Sequence, residues 1–221
     1  MSNINPYDID LYHIVHVDKL HSILGMGGLL CDMEVHNQDF QGTTIGMDKI
    51  KKRRMVELNL RSYPDLFVGN CVPFYFCPRS VMLYIFSKKN HPEISYLEGQ
   101  EPIVHLVFRM MDVITWAEQQ GNRWVFTDSN AGSYYFEDYS SLSNLDQLNW
   151  NAINTDYWSN CKEQKQAEFL VEKFVPWQLV KGIGVYSLDY FDKVHDIIDS
   201  RTFIPPIAVK REWYYLRGDR E

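Results

Sequence analysis

Val72-Pro73-Phe74-Tyr75-Phe76-Cys77-Pro78-Arg79-Ser80-Val81-Met82-Leu83-Tyr84-Ile85-Phe86 is the most apolar stretch of this 221-residue chain, and its reading decides the fold. Val72 to Phe76 has the β-branched and aromatic composition of a strand. Pro78 breaks it, and Ser80 can then cap a short apolar helix, Val81 to Phe86. Taken as a whole the stretch is shorter than the roughly 18 apolar residues that cross a bilayer, and Pro73, Pro78 and Arg79 interrupt it. A buried strand running into a short helix is the unit it encodes.

Upstream, Leu11 to Val17 reads as a strand carrying His13 and His16. Asp18 can cap a short helix whose Leu20, Ile23 and Leu24 share a face and which Gly25, Gly27 and Gly28 end. Cys31 to Tyr63 is polar, and its basic run, Lys49, Lys51, Lys52, Arg53 and Arg54, lies on a helix. Downstream, strands at Ile103 to Phe108 and Trp124 to Phe126 flank a helix near Met111 to Gln119. Thr127 to Asn160 is a long polar connection with helical turns near Leu145 and Trp150, a length that inside a compact domain is functional or partly ordered. Gln166 to Val171, a helix after Pro176, a strand Ile183 to Ser187 and a helix Asp189 to Ile198 follow. Strand pieces at Ile207 to Lys210 and Trp213 to Tyr215 complete the chain. Strands and short helices alternate without regular βαβ spacing, which makes the class α+β. With no internal repeat and no Ser/Gly/Pro-rich linker, residues 1–221 read as one domain with a core of about 10–216.

Apolar residues are 45% of the chain and aromatics 14%, which excludes disorder. Twenty-two basic against 29 acidic residues leave a net charge of −7. That field argues against a protein that coats nucleic acid, although one basic groove could still hold a few nucleotides. Met1 to Asp10 lacks the basic and apolar regions of a signal peptide, so a cytoplasmic protein with no membrane contact is expected. The four cysteines form no CxxC pair, against a zinc knuckle or thioredoxin-type motif.

No Walker loop, Rossmann fingerprint, HExxH or GxSxG is present. Gly25-Met26-Gly27-Gly28 follows a helix, whereas a phosphate loop precedes one, so it reads as a C-cap. His13 and His16 face opposite sides of a strand, the wrong arrangement for two ligands of one metal, and no metal is expected. Five cations in the six positions 49–54 form a local anion site in which Arg53 or Arg54 could grip a pyrophosphate through its planar fork. Phe74, Tyr75, Phe76 and Tyr84 around Arg79 could stack on bases. Glu168 leads an apolar segment, where its neighbours half bury it. Each has a plain alternative: a solvated face, core aromatics, a capping or salt-bridged glutamate.

Tyr12-His13-Ile14-Val15-His16, the helix ending in Met26-Gly27, Arg53-Arg54, the segment 72–80 with Met82-Leu83-Tyr84, Phe126-Thr127-Asp128 and Gln166-Ala167-Glu168 stand in the order found in the DarT family. The chain resembles DarT from about Tyr12 to Tyr215. These are toxins of bacterial toxin–antitoxin systems that ADP-ribosylate DNA. The resemblance implies an ADP-ribosyltransferase (PARP-like) fold, two packed, mainly antiparallel sheets forming an NAD cleft with flanking short helices. It implies transfer of ADP-ribose from NAD to a base, usually thymidine, of single-stranded DNA in a short sequence motif, with release of nicotinamide.

By the same resemblance, His13, Ile14 and Val15 hold the nicotinamide end through the strand edge, and Ser22, Leu30 and Tyr75 match further NAD-contacting positions. Arg54 matches the arginine that touches NAD and helps deprotonate the target base, and Glu168 matches the catalytic glutamate. Arg79, Ser80, Val81, Met82, Leu83 and Tyr84 match a DNA-contacting segment, and the polar stretch before Glu168 matches a substrate-recognition loop. Many members carry a histidine two positions after FTD; here Asn130 stands there, which hydrogen-bonds but carries no proton. The implied partner is a macrodomain antitoxin (DarG-like). Rival readings are an ADP-ribosyltransferase acting on guanine, RNA or protein, and a non-catalytic single-strand-binding module; a metal-dependent nuclease lacks clustered ligands.

Overall fold

The computed structural model describes residues 4–36, 42–43 and 45–216. Its strands are β1 (Asp10–His16), β2 (Gly28–Leu30), β3 (Cys71–Tyr75), β4 (Ile103–Arg109), β5 (Trp124–Thr127), β6 (Asp138–Tyr139), β7 (Glu168–Glu172), β8 (Phe174–Pro176), β9 (Val180–Val185) and β10 (Ile207–Val209). The helices are α1 (Leu20–Met26), α2 (Asp32–His36), α3 (Asp48–Val56), α4 (Val81–Lys88), α5 (Met110–Gln119), α6 (Trp150–Asn154), α7 (Lys162–Lys165) and α8 (Leu188–Ile198). Eight strands form one sheet in the order β10-β9-β4-β1-β3-β7-β5-β6, and β2 pairs with β8. Every pairing is antiparallel except β9 with β10. This is the mainly antiparallel α+β arrangement expected.

The two expected sheets are joined as one. β1 pairs with β4 along its whole length, from Asp10↔Arg109 to His16↔Ile103. Its register with β3 is the single pair Tyr12↔Tyr75. The halves β10-β9-β4-β1 and β3-β7-β5-β6 therefore diverge beyond that seam. Their shared core holds Leu11, Phe74, Leu106, Phe108 and Phe169, all at most 1% exposed.

Four local expectations are corrected. The helix expected after Pro176 is a single 3-10 turn, Trp177–Leu179, and the strand begins at Val180. Trp177 is held by its backbone N–H on the Gly27 carbonyl (2.8 Å) and its indole on the Phe203 carbonyl (3.2 Å). The expected strand at Trp213 to Tyr215 is a 3-10 turn, Arg211–Trp213, because Gln100 Oε1 accepts the Tyr215 N–H at 2.9 Å in place of a strand partner. Asp18 caps no helix: its carboxylate accepts the Thr43 hydroxyl (2.7 Å) and backbone N–H (3.1 Å). Gly25 lies within α1, Gly27 caps it at φ +78°, and Gly28 opens β2, where a Cβ would sit 2.3 Å from the Val175 carbonyl.

The central strand β4 buries both faces, and with them His105, which is 0% exposed. Its Nε2 donates to the Pro78 carbonyl at 3.0 Å, and burial lowers its pKa from 6.5 to about 4. Between those values the unfolded chain binds a proton that the native state refuses, so stability rises with pH there and is lost as pH falls. Denaturant titrations of the wild type should lose about 3 kcal/mol between about pH 6.5 and 4 through this residue, and a His105→Gln variant should lose that much less over the same interval.

Candidate active site

The cleft opens where β1 leaves β3. From His13 onward one edge of β1 lacks a β3 partner, and Ile14 and Val15 line the opening. Ser22 of α1, Leu30 of β2, Arg54 of α3, Tyr75 of β3 and Glu168 of β7 line it as well. Residues far apart in sequence thus line one cleft. Sheet register explains part of this: Tyr12 pairs with Tyr75, and Tyr75 pairs with Glu168, so one row crosses three strands.

Half-buried His13 donates from Nδ1 to the Pro73 carbonyl at 2.8 Å. Burial lowers its pKa, so the ring is neutral and Nε2 remains an acceptor. Burial raises the Tyr75 pKa, and Glu168 raises it further, so the phenol stays protonated.

Arg54 and Glu168 form a two-point ion pair, Nη1 to Oε1 at 3.2 Å and Nη2 to Oε2 at 3.0 Å. They are 9% and 4% exposed. Burial works against the guanidinium charge, and Glu168, Asp32 and Tyr75 together more than offset it, so the net shift of Arg54 is upward. Ala131 donates its backbone N–H to Oε1 at 3.1 Å. Oε1 thus takes two hydrogen bonds and Oε2 takes one among the described residues, which leaves Oε2 the greater capacity to accept a substrate hydroxyl. The Glu168 N–H donates to the Thr127 hydroxyl at 3.1 Å, tying the start of β7 to the end of β5. Buried Lys165 donates to the Ile153 and Thr155 carbonyls at 2.6 and 2.8 Å, fixing the chain just before Glu168.

The basic run is not one anion site. Helical geometry turns Lys51 and Arg54, three apart, into the cleft. Lys49 pairs with Glu93 at 2.9 Å, while Arg53 donates to the Gly132 carbonyl and lies over the Tyr134 ring. Asn130 does not line the cleft. Its Nδ2 donates to Gln166 Oε1 at 3.2 Å and its Oδ1 accepts the Gly132 N–H at 2.8 Å, so it shapes the turn that presents Ala131 to Glu168.

In the segment 79–84, Ser80, Val81 and Leu83 are buried at 0–1% exposure, with Ser80 Oγ accepting the Leu83 N–H as the cap of α4. Their side chains are packed inside the fold. Arg79, Met82 and Tyr84 keep accessible surface. Met82 lines the cleft, and Arg79 pairs with Asp156 at 3.0 Å above the Tyr215 ring.

Sequence reasoning missed Ala131, whose contribution is a backbone N–H and leaves no side-chain signal. It also missed Asp32, which lines the cleft 3.7 Å from Lys51. Among the described residues no group of three or more His, Cys, Asp or Glu side chains is placed to hold a metal, and no helix is long and apolar enough to cross a membrane.

The family model described as ssDNA thymidine ADP-ribosyltransferase, DarT, matches residues 12–215. A DNA ADP-ribosyl transferase from Thermus sp. (strain 2.9) is 37% identical over 97% of this chain and 100% of its own length. The solved structure of Thermus sp. 2.9 DarT in complex with ADP-ribosylated ssDNA superposes with a TM-score of 0.85 at 34% identity, covering 97% of this chain and 100% of that one. Its complex with NAD+ superposes with a TM-score of 0.79 at 33% identity, over 96% of this chain and 99% of that one.

Proposed function

Because the chain belongs to the DarT family of ssDNA thymidine ADP-ribosyltransferases, we propose that its cleft cleaves NAD and passes the ADP-ribose to thymidine in single-stranded DNA. The observation that carries this reading is the buried Arg54–Glu168 pair beside the edge of β1 beyond its pairing with β3. Breaking the nicotinamide–ribose bond sends the bonding electrons out with nicotinamide and leaves positive charge on the ribose. The Glu168 carboxylate faces that charge, and Oε2 accepts the ribose 2′-hydroxyl, so stabilisation acts where charge develops. Neutral His13 and the β1 edge at Ile14 and Val15 hold the carboxamide, while Ser22, Leu30 and Tyr75 shape the rest of the NAD site.

Arg54 stays charged, so it serves as donor to phosphate and as a polariser of the base, whose N3 proton passes to water as N3 bonds to the ribose C1′, rather than as the group that takes the proton. Asn130 acts through the Ala131 turn. An extrahelical or single-stranded base reaches such a cleft at the least unstacking cost. Arg79, Met82 and Tyr84 form the side-chain part of the DNA surface. The family resemblance adds a cytoplasmic setting and a macrodomain antitoxin that removes the ADP-ribose.

Mass spectrometry of oligonucleotides offering each base in turn, after incubation with NAD, tests the reading. ADP-ribose is expected on thymine-containing single strands. Modification confined to RNA, to protein or to guanine overturns it. Arg79→Glu should weaken single-strand binding and reduce the dependence of log Kd on log salt by about one phosphate contact; an unchanged slope in salt titrations would remove Arg79 from the DNA surface.

A further inference from the structure

The loop between β5 and β6 carries two tyrosines that the fold does not bury: Tyr134 is 58% exposed and Tyr135 is 87% exposed. They stand beside the reaction centre. Ala131 of the same loop bonds Glu168, and Gly132 lies against Ile50, a cleft residue, so closely that a Cβ there would meet Ile50 Cγ2 at 2.8 Å. Arg53, the neighbour of Arg54, holds the Gly132 carbonyl and covers the Tyr134 ring at 4.8 Å. The Tyr134 hydroxyl donates to Glu57 at 2.6 Å.

The loop is internally braced. Asp128 Oδ1 accepts the Ser129 hydroxyl (2.8 Å) and the Glu137 N–H (3.0 Å), Ser133 N–H reaches the Asn130 carbonyl (2.9 Å), and Tyr135 N–H reaches Ser133 Oγ (3.2 Å). An almost fully exposed aromatic ring on so ordered a loop is an apolar surface held ready at low entropic cost. Single-stranded nucleic acid offers the matching chemistry, since every base has a face that stacks on an aromatic ring.

Resting on the DNA-modifying reading of the adjacent cleft, we propose that Tyr135 and the Arg53-backed Tyr134 form a stacking platform for a base next to the modified thymidine. The strand crosses the rim between this loop and α3, and the platform fixes which nucleotide enters the cleft. Glu57, Asp128 and Glu137 stand against Arg53 and Arg61 around the loop, so it carries no net positive charge. Stacking rather than phosphate contact supplies the binding.

Steady-state kinetics on a thymidine-containing single strand, with Tyr135→Ala and Tyr135→Phe, read this out. Stacking of a flanking base is equal in ground and transition states, so Tyr135→Ala should raise the KM for DNA about tenfold. The kcat, the KM for NAD and the salt slope should stay as in the wild type, and Tyr135→Phe should restore the DNA KM. Photocrosslinking with 5-iodouracil placed singly on either side of the target should label Tyr134 or Tyr135. A wild type that modifies DNA, with an unchanged DNA KM in Tyr135→Ala and crosslinks elsewhere, overturns the platform alone. A wild type that transfers nothing to DNA overturns the underlying reading, and the platform with it.

Discussion

Glu168→Gln is expected to lower DNA modification roughly a hundred- to thousand-fold, the usual cost of removing one preorganised electrostatic group from a transition state. Gln keeps the shape and one acceptor oxygen, so the Ala131 N–H can still be satisfied and the fold should persist. It loses the negative charge that opposes the developing ribose cation. NAD binding, read by calorimetry, should change much less than turnover, because the lost interaction is made mainly in the transition state. Glu168→Ala should abolish transfer and also destabilise the protein, because it strands the buried Arg54 cation at a cost of about 3–5 kcal/mol. Gln-variant turnover close to that of the wild type would remove Glu168 from catalysis.

Arg54→Lys is the second large effect. Lysine keeps the charge but presents one point where the guanidinium presents a fork to both Glu168 oxygens. Without the fork the carboxylate is free to rotate about its last bond, and the grip on phosphate or base is lost. Transfer should fall by about a hundredfold, while thermal denaturation still shows a cooperative transition. Arg54→Ala should instead lower stability by about 3–5 kcal/mol, since it leaves a carboxylate buried without its partner. Near-normal transfer by Arg54→Lys would reduce Arg54 to a generic counter-charge.

Much of the framework was readable from local pattern. The strand at 72–76, the Ser80-capped helix and the buried strand at 103–108 follow from composition and punctuation, because those preferences act within a few residues. The errors fell where distant partners decide. Pro176 is followed by a turn because Trp177 is tied to Gly27 and Phe203, and the 213–215 segment is not a strand because Gln100 supplies its hydrogen bond. Which side chains of the 79–84 segment stay accessible was not legible either, since the burial of Ser80, Val81 and Leu83 depends on what packs over α4.

The sequence by itself determined the residue types of the site, the order in which they occur and the α+β class, because strand and helix punctuation and the spacing of motifs are one-dimensional properties. Only the tertiary structure decided that one seam pair, Tyr12↔Tyr75, splits the sheet into a cleft. The fold likewise decided that Arg54 meets Glu168 across 114 positions, and that Ala131 rather than the Asn130 side chain serves the carboxylate. Those are matters of register, burial and backbone direction, which exist only once distant strands have paired.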